Sequence, residues 1–142
     1  MNGKSRLALI GAGGIGVLWA DAIQKSRSAR LAVVIDLDIN RAKAIVGATS
    51  NCLTEIDYKK ILNNPDIDGV VLATPHKFLA SISSDFLKAK KHVLCEKPAG
   101  ISSLEIKKNI EVAAKNKLIY MVGFNHRYHP AFIMAKDKFK SG

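Results

Sequence analysis

The sequence predicts an α/β fold: a single domain built on a doubly wound parallel sheet. Two observations carry this expectation. Short aliphatic or β-branched runs alternate with stretches of helical periodicity, the pattern of parallel strands joined by right-handed crossovers. In addition, the motifs rich in glycine or polar groups all fall just behind such runs: Gly11–Gly16, Asp36, Ala73–His76, Glu96–Pro98 and Asn125–Arg127. Ligands of open α/β sheets bind outside those carboxyl ends.

Each element has its own warrant. Leu7-Ala8-Leu9-Ile10 is apolar at every position, as a central parallel strand with two covered faces must be. A helix follows from about Gly14 to Lys25, with Ile15, Leu18, Trp19, Ala22 and Ile23 on one stripe expected to face the sheet. Leu31–Ile35 is short and β-branched, hence a strand, and Asp36 ends it. A helix over 39–46 closes at Gly47. Residues 56–63 read as a short helix stopped by Asn64-Pro65.

Gly69–Ala73 is the third buried strand, ended by Thr74-Pro75. Phe78, Leu79, Ile82, Phe86 and Leu87 recur at helical spacing across 78–90. His92–Cys95 is a fourth strand, closed by Glu96-Lys97-Pro98. Ser102 reads as an N-cap with Glu105 in the first turn, opening a helix that runs to about Asn116. Leu118–Val122 is the fifth strand, and Pro130 suits the first turn of a last helix.

Composition narrows the class. A chain of 142 residues suits one domain and can bury about two-thirds of its unfolded surface. The N-terminus is polar and the apolar run behind it breaks at Gly11, too short for a signal-peptide core or a membrane span. A cytoplasmic protein with no membrane partner is expected. Cys52 and Cys95 lie far apart without ligand spacing, so they read as reduced thiols, and no metal site is expected. The net charge of +10 raises nucleic acid as a partner. Its lysines are spread over helix surfaces, as in Lys88-Ala89-Lys90-Lys91 and Lys107-Lys108, so solvated faces that attract anions are expected instead.

The chemistry begins at Gly11-Ala12-Gly13-Gly14-Ile15-Gly16. Glycines at G-x-G-x-x-G spacing between a strand and a helix permit a sharp turn and close approach to a ligand. They also aim a helix N-terminus at a diphosphate. Asp36 follows Gly16 by 20 positions, where a dinucleotide site places a carboxylate for the ribose hydroxyls. These residues point to a dinucleotide cofactor. The acid favours NAD by repelling a 2′-phosphate, and NADP stays open through Arg41, whose other role is that of a solvated helix residue.

Behind the third strand, Ala73 and Thr74 leave room for the cofactor and Pro75 stiffens the loop. His76 is open to two roles, contact with the nicotinamide ribose or simple exposure. Lys97, between Glu96 and Pro98, is a held lysine at a strand tip. There it can hydrogen-bond a substrate hydroxyl or carbonyl and stabilise alkoxide charge, or serve a structural ion pair. In the polar-aromatic cluster 123–130, Asn125 and Arg127 suit hydrogen bonds to a polyol or to the cofactor amide.

Taken together, GAGGIG at 11–16, Asp36, ATPH at 73–76, HVLCEKP at 92–98 and GFNHRYHP at 123–130 resemble the Gfo/Idh/MocA oxidoreductase family. The resemblance spans nearly the whole chain. It implies an NAD(P)-binding Rossmann domain over 1–125 and a hydride transfer between nicotinamide and a secondary alcohol or ketone of a sugar or polyol. Lys97 would be the catalytic lysine, Glu96 a cofactor-side neighbour, and the Lys97–Pro98 bond cis. A histidine that the family often carries four residues after the loop proline is Leu79 here.

The family also continues into a second α/β domain that bears the substrate pocket and an Asp-x-x-x-His general base. The resemblance therefore implies that 126–142 begin the connection to that domain and that this chain is a fragment poorly active alone. Either a homo-oligomer or a partner chain supplying the missing part is open. The alternative is a stand-alone NAD(H)-binding module or sensor without catalysis. A methyltransferase using the glycine loop for S-adenosylmethionine leaves Lys97 unexplained.

Overall fold

The computed structural model describes residues 3–47 and 51–141. Met1, Asn2 and Gly142, on which the expectations about the chain's two ends partly rest, lie outside the described residues. Six parallel strands form one sheet in the order β3-β2-β1-β4-β5-β6. In chain order these are β1 (Ser5–Ile10), β2 (Ala29–Ile35), β3 (Leu53–Glu55), β4 (Gly69–Leu72), β5 (His92–Cys95) and β6 (Tyr120–Val122). The helices are α1 (Gly14–Lys25), α2 (Ile39–Val46), α3 (His76–Lys88), α4 (Ser103–Lys115) and α5 (Pro130–Lys140). The doubly wound parallel sheet is therefore the observed architecture. Strand order reverses between β1 and β4, whose pairing runs from Leu7 opposite Gly69 to Ile10 opposite Leu72.

Side chains alternate across the strands, so each face has its own core. Leu9, Val34 and Val71 pack with Ala20, Ile23 and Ala42 of α1 and α2. Ala8, Ile10, Val33, Ile35, Val70, Leu72 and Val93 pack on the other face with Leu79, Ile82, Phe86 and Leu87 of α3. Leu79 and Phe86 are fully enclosed. Polar caps fit the helices that need them. Ser102 and Glu105 form a reciprocal capping box on α4, and Asp38 caps α2.

Several expectations are corrected. The strand β3 was not expected; it is three residues long, half-exposed and paired to β2 from Val33–Leu53 to Ile35–Glu55. So short an edge strand has too few positions to show alternation. The stripe assigned to α1 is also wrong. Its buried residues are Gly16, Ala20 and Ile23, whereas Ile15, Leu18 and Ala22 are exposed and Trp19 is half-buried.

The physical reason is proximity. A Cβ at Gly16 would collide with the Gly11 carbonyl oxygen, so the first turn of the helix lies too close to the glycine turn for a large side chain there. Phe78 is likewise 45% exposed, in the first turn of α3, which begins at His76, earlier than expected. The short helix expected over 56–63 is a 3-10 turn, Tyr58–Ile61, and the last strand covers only Tyr120–Val122.

Candidate functional site

The carboxyl edge of the sheet is assembled from four strand ends. Gly11 leaves β1 with φ +101°, and a Cβ there would lie 2.5 Å from the Ala73 carbonyl oxygen. Glycine is therefore required twice over, by backbone conformation and by contact with the loop after β4. The Ala73 N–H in turn donates to the Ile10 carbonyl at 2.8 Å. The glycine turn and Ala73–Thr74 thus meet where the strand order reverses, the position at which open α/β sheets hold ligands.

Gly13 differs from Gly11 and Gly16. It has ordinary extended φ and ψ, and a Cβ there would meet nothing within 4 Å; Gly14 is equally open. Among the described residues nothing in the packing demands glycine at 13, whereas a ligand lying against the backbone would. α1 behind it has no side-chain cap and no acid in its first turn. Its first N–H groups and its positive dipole end point into that space. α3, which begins beside Thr74, also lacks a side-chain cap. Among the described helices, α1 and α3, which follow the two strands between which the order reverses, are the α-helices without a side-chain cap.

Asp36 ends β2 and reaches the glycine turn. One carboxylate oxygen accepts the Ala12 N–H at 2.7 Å and the other accepts the Asp38 N–H at 2.9 Å. Arg41 is exposed and sits 3.4 Å from Asp38 in an i,i+3 ion pair. Its cation is directed to a neighbouring acid on its own helix. Thr74 Oγ1 is buried without a hydrogen-bond partner, an unsatisfied hydroxyl beside the glycine turn. Pro75 and His76 are exposed at the start of α3. The cleared space at Gly13, the open helix end, Asp36 and the orphaned Thr74 hydroxyl together fit a dinucleotide.

Farther along the edge, the Lys97–Pro98 peptide is cis, as expected. Lys97 itself is exposed, and its backbone N–H donates to Glu96 Oε2 at 3.1 Å. Glu96 is half-buried, and its Oε1 accepts the Trp19 indole N–H from α1 at 2.8 Å. Trp19 was expected only as part of an apolar stripe, and nothing in the local sequence pairs it with a residue 77 positions away.

The segment after Pro98 is also held, by Tyr120 Oη donating to the Ala99 carbonyl at 3.5 Å. Burial pushes the Cys95 thiol up to about 11, so it stays protonated beneath the strand tip. Gly123 N–H donates to the Cys95 carbonyl at 2.8 Å, which lays the segment following β6 beside Glu96. Asn125 and Arg127 are exposed in a 3-10 turn, Asn125–Tyr128, and His129 caps α5 by accepting the Ala131 N–H.

Comparison with known proteins agrees with this fold. Inositol 2-dehydrogenase of Rhizobium meliloti is 35% identical over 137 residues, covering 96% of this chain and 41% of that protein. The structure of myo-inositol 2-dehydrogenase from Lactobacillus plantarum superposes with a TM-score of 0.88 at 26% identity, over 98% of this chain and 42% of that one. Apo scyllo-inositol dehydrogenase from Lactobacillus casei gives 0.87 at 27% identity, over 100% and 43%. The chain thus spans about two-fifths of the length of the relatives it matches. The profile of an oxidoreductase family described by its NAD-binding Rossmann fold matches residues 5–124, and with the glycine turn and Asp36 in place this chain belongs to that family, Gfo/Idh/MocA.

Proposed function

We propose that this chain is the cofactor-binding domain of an NAD-dependent sugar or polyol dehydrogenase that works in the cytoplasm. The observation that carries the reading is the shared edge. The open helix end behind Gly13, the carboxylate of Asp36 and the strand tip bearing Lys97 all belong to one side of one sheet. In this reading Gly11, Ala12, Gly13, Gly14, Ile15 and Gly16 hold the diphosphate through backbone N–H groups. Asp36 exchanges its bond with Ala12 for the adenosine ribose hydroxyls. Ala73, Thr74, Pro75 and His76 line the middle of the dinucleotide, and the Thr74 hydroxyl gains the partner it lacks. Glu96 and Asn125 flank the nicotinamide end.

When bound, the nicotinamide exchanges a hydride with a carbinol carbon. Lys97 is the residue proposed to act on the substrate. Its ammonium donates to the carbinol or carbonyl oxygen and stabilises the charge that develops there. The relatives named inositol dehydrogenases support a polyol as the substrate class. Residues 126–142 are proposed to lead out of the cofactor domain. The remainder of the substrate pocket, with the general base, is proposed to come from further protein of the same assembly, as the greater length of the relatives supports.

Calorimetric titration of the chain with NAD and NADP tests the cofactor assignment. NAD is expected to bind more tightly. Removing a hydrogen-bonding carboxylate costs roughly 1.5–3 kcal/mol, so Asp36→Ala should weaken NAD by about tenfold or more and narrow the gap to NADP. Equal affinity for both cofactors in the unaltered chain would refute the assignment. Turnover of inositols by the chain alone, without added protein, would refute the proposed division of the pocket.

A further inference from the structure

We propose that Trp19 is a positioning residue for Lys97, acting through the carboxylate of Glu96. The inference rests on the reading of Lys97 as the group that meets the substrate. Trp19 is the only tryptophan of the chain and lies three residues beyond Gly16, on the helix whose N-terminus faces the proposed diphosphate site. Its indole N–H donates to Glu96 Oε1 at 2.8 Å, and the second oxygen of the same carboxylate accepts the Lys97 backbone N–H at 3.1 Å. One carboxylate therefore ties α1 to the peptide that carries the lysine.

Its other surroundings leave the carboxylate little freedom. A Cβ at Gly123 would lie 3.2 Å from Glu96 Oε1 and 3.5 Å from its carboxyl carbon, so the end of β6 walls the third side. The main chain of Glu96 is anchored as well. Its N–H donates to the Leu72 carbonyl at 3.0 Å and its carbonyl accepts the Cys95 thiol at 3.3 Å. Hydrogen bonds to an ionised acceptor are shorter and stronger than neutral ones. The Trp19–Glu96–Lys97 chain is thus a directed link between the helix at the seat of the cofactor and the backbone of the residue that bears the reacting group.

The single indole gives an isolated ¹H–¹⁵N resonance, and lysine labelled with ¹³C at Cε gives a Lys97 signal identified by its loss in Lys97→Ala. Three results are expected. Glu96→Gln moves the indole resonance. Trp19→Phe and Glu96→Gln displace the Lys97 signal in the same direction. The double variant moves it no further than either single one, as expected for residues acting in series. A Lys97 signal unmoved in Trp19→Phe, or single displacements that add in the double variant, overturns the proposal.

If Trp19→Phe does not fold, Gly123→Ala serves. It crowds Oε1 while leaving the indole intact, and should displace both the indole and the Lys97 resonances; a stationary Lys97 signal overturns the link. Failure of the unaltered chain to take up NAD defeats the functional reading instead, and leaves these displacements free to report on the link alone.

Discussion

The three glycines of the turn do different work, although the spacing treats them alike. Gly11 and Gly16 are demanded by the fold, the first by its φ of +101° and its contact with Ala73, the second by the carbonyl of Gly11. A Cβ at Gly13 would meet no atom of the described residues within 4 Å. Gly16→Ala should therefore destabilise by about 1–3 kcal/mol through overpacking, read by chemical denaturation. Gly13→Ala should leave stability within about 0.5 kcal/mol and yet weaken NAD binding several-fold, read by calorimetry. A second residue-scale prediction concerns Asp68. Bonds from the Arg6 side chain and backbone hold its carboxyl at about 2, below the usual 3.8. Because the folded value is the lower one, the unfolded chain takes up the proton first. The contribution is present above about pH 4 and is lost as pH falls towards 2. Denaturation midpoints of the unaltered chain should fall more steeply across that window than those of Asp68→Asn. Asp36 and Lys97 were legible as residues because chemistry needs their types at strand ends. Trp19 was not, since its partner follows β5 and is brought near only because β1, β4 and β5 lie side by side in one sheet.

Elements differ in how much of their end structure is their own. The N-terminus of α4 is satisfied locally, with Ser102 accepting from Glu105 N–H and Glu105 reaching back to the Ser102 N–H. Ser102→Ala should cost about 1 kcal/mol and lower Tm by about 2–4 °C, without touching cofactor affinity. α1, by contrast, leaves its first N–H groups without a side-chain cap, so added dinucleotide should stabilise the chain where the capped helices gain nothing directly. The capping box was readable from four residues. The buried face of α1 was not. Hydrophobic periodicity follows the large residues Ile15 and Leu18, whereas the short distance to the glycine turn selects Gly16. The missed β3 has a related cause: its three residues owe their conformation to pairing with β2 more than to any pattern of their own.

At the scale of the molecule, the sheet and α1–α4 form one packed body, while α5 has no buried residue and leaves Phe132, Ile133, Met134 and Phe139 exposed. A chain ending at Tyr128 should accordingly melt within a few degrees of the full one and keep its affinity for NAD. Amide exchange should be fastest over 130–140. Loss of the cooperative transition on that truncation would show that α5 supports the core. The sequence by itself determined the strands of the sheet centre, the glycine turn and the acid at the end of β2, because these depend on local periodicity and on residue types with narrow uses. Only the tertiary structure decided which side of α1 meets the sheet, that a sixth strand closes one edge, and that an indole from the first crossover grips the carboxylate before Lys97. Each of those depends on distances between segments remote in the chain, which no local pattern encodes.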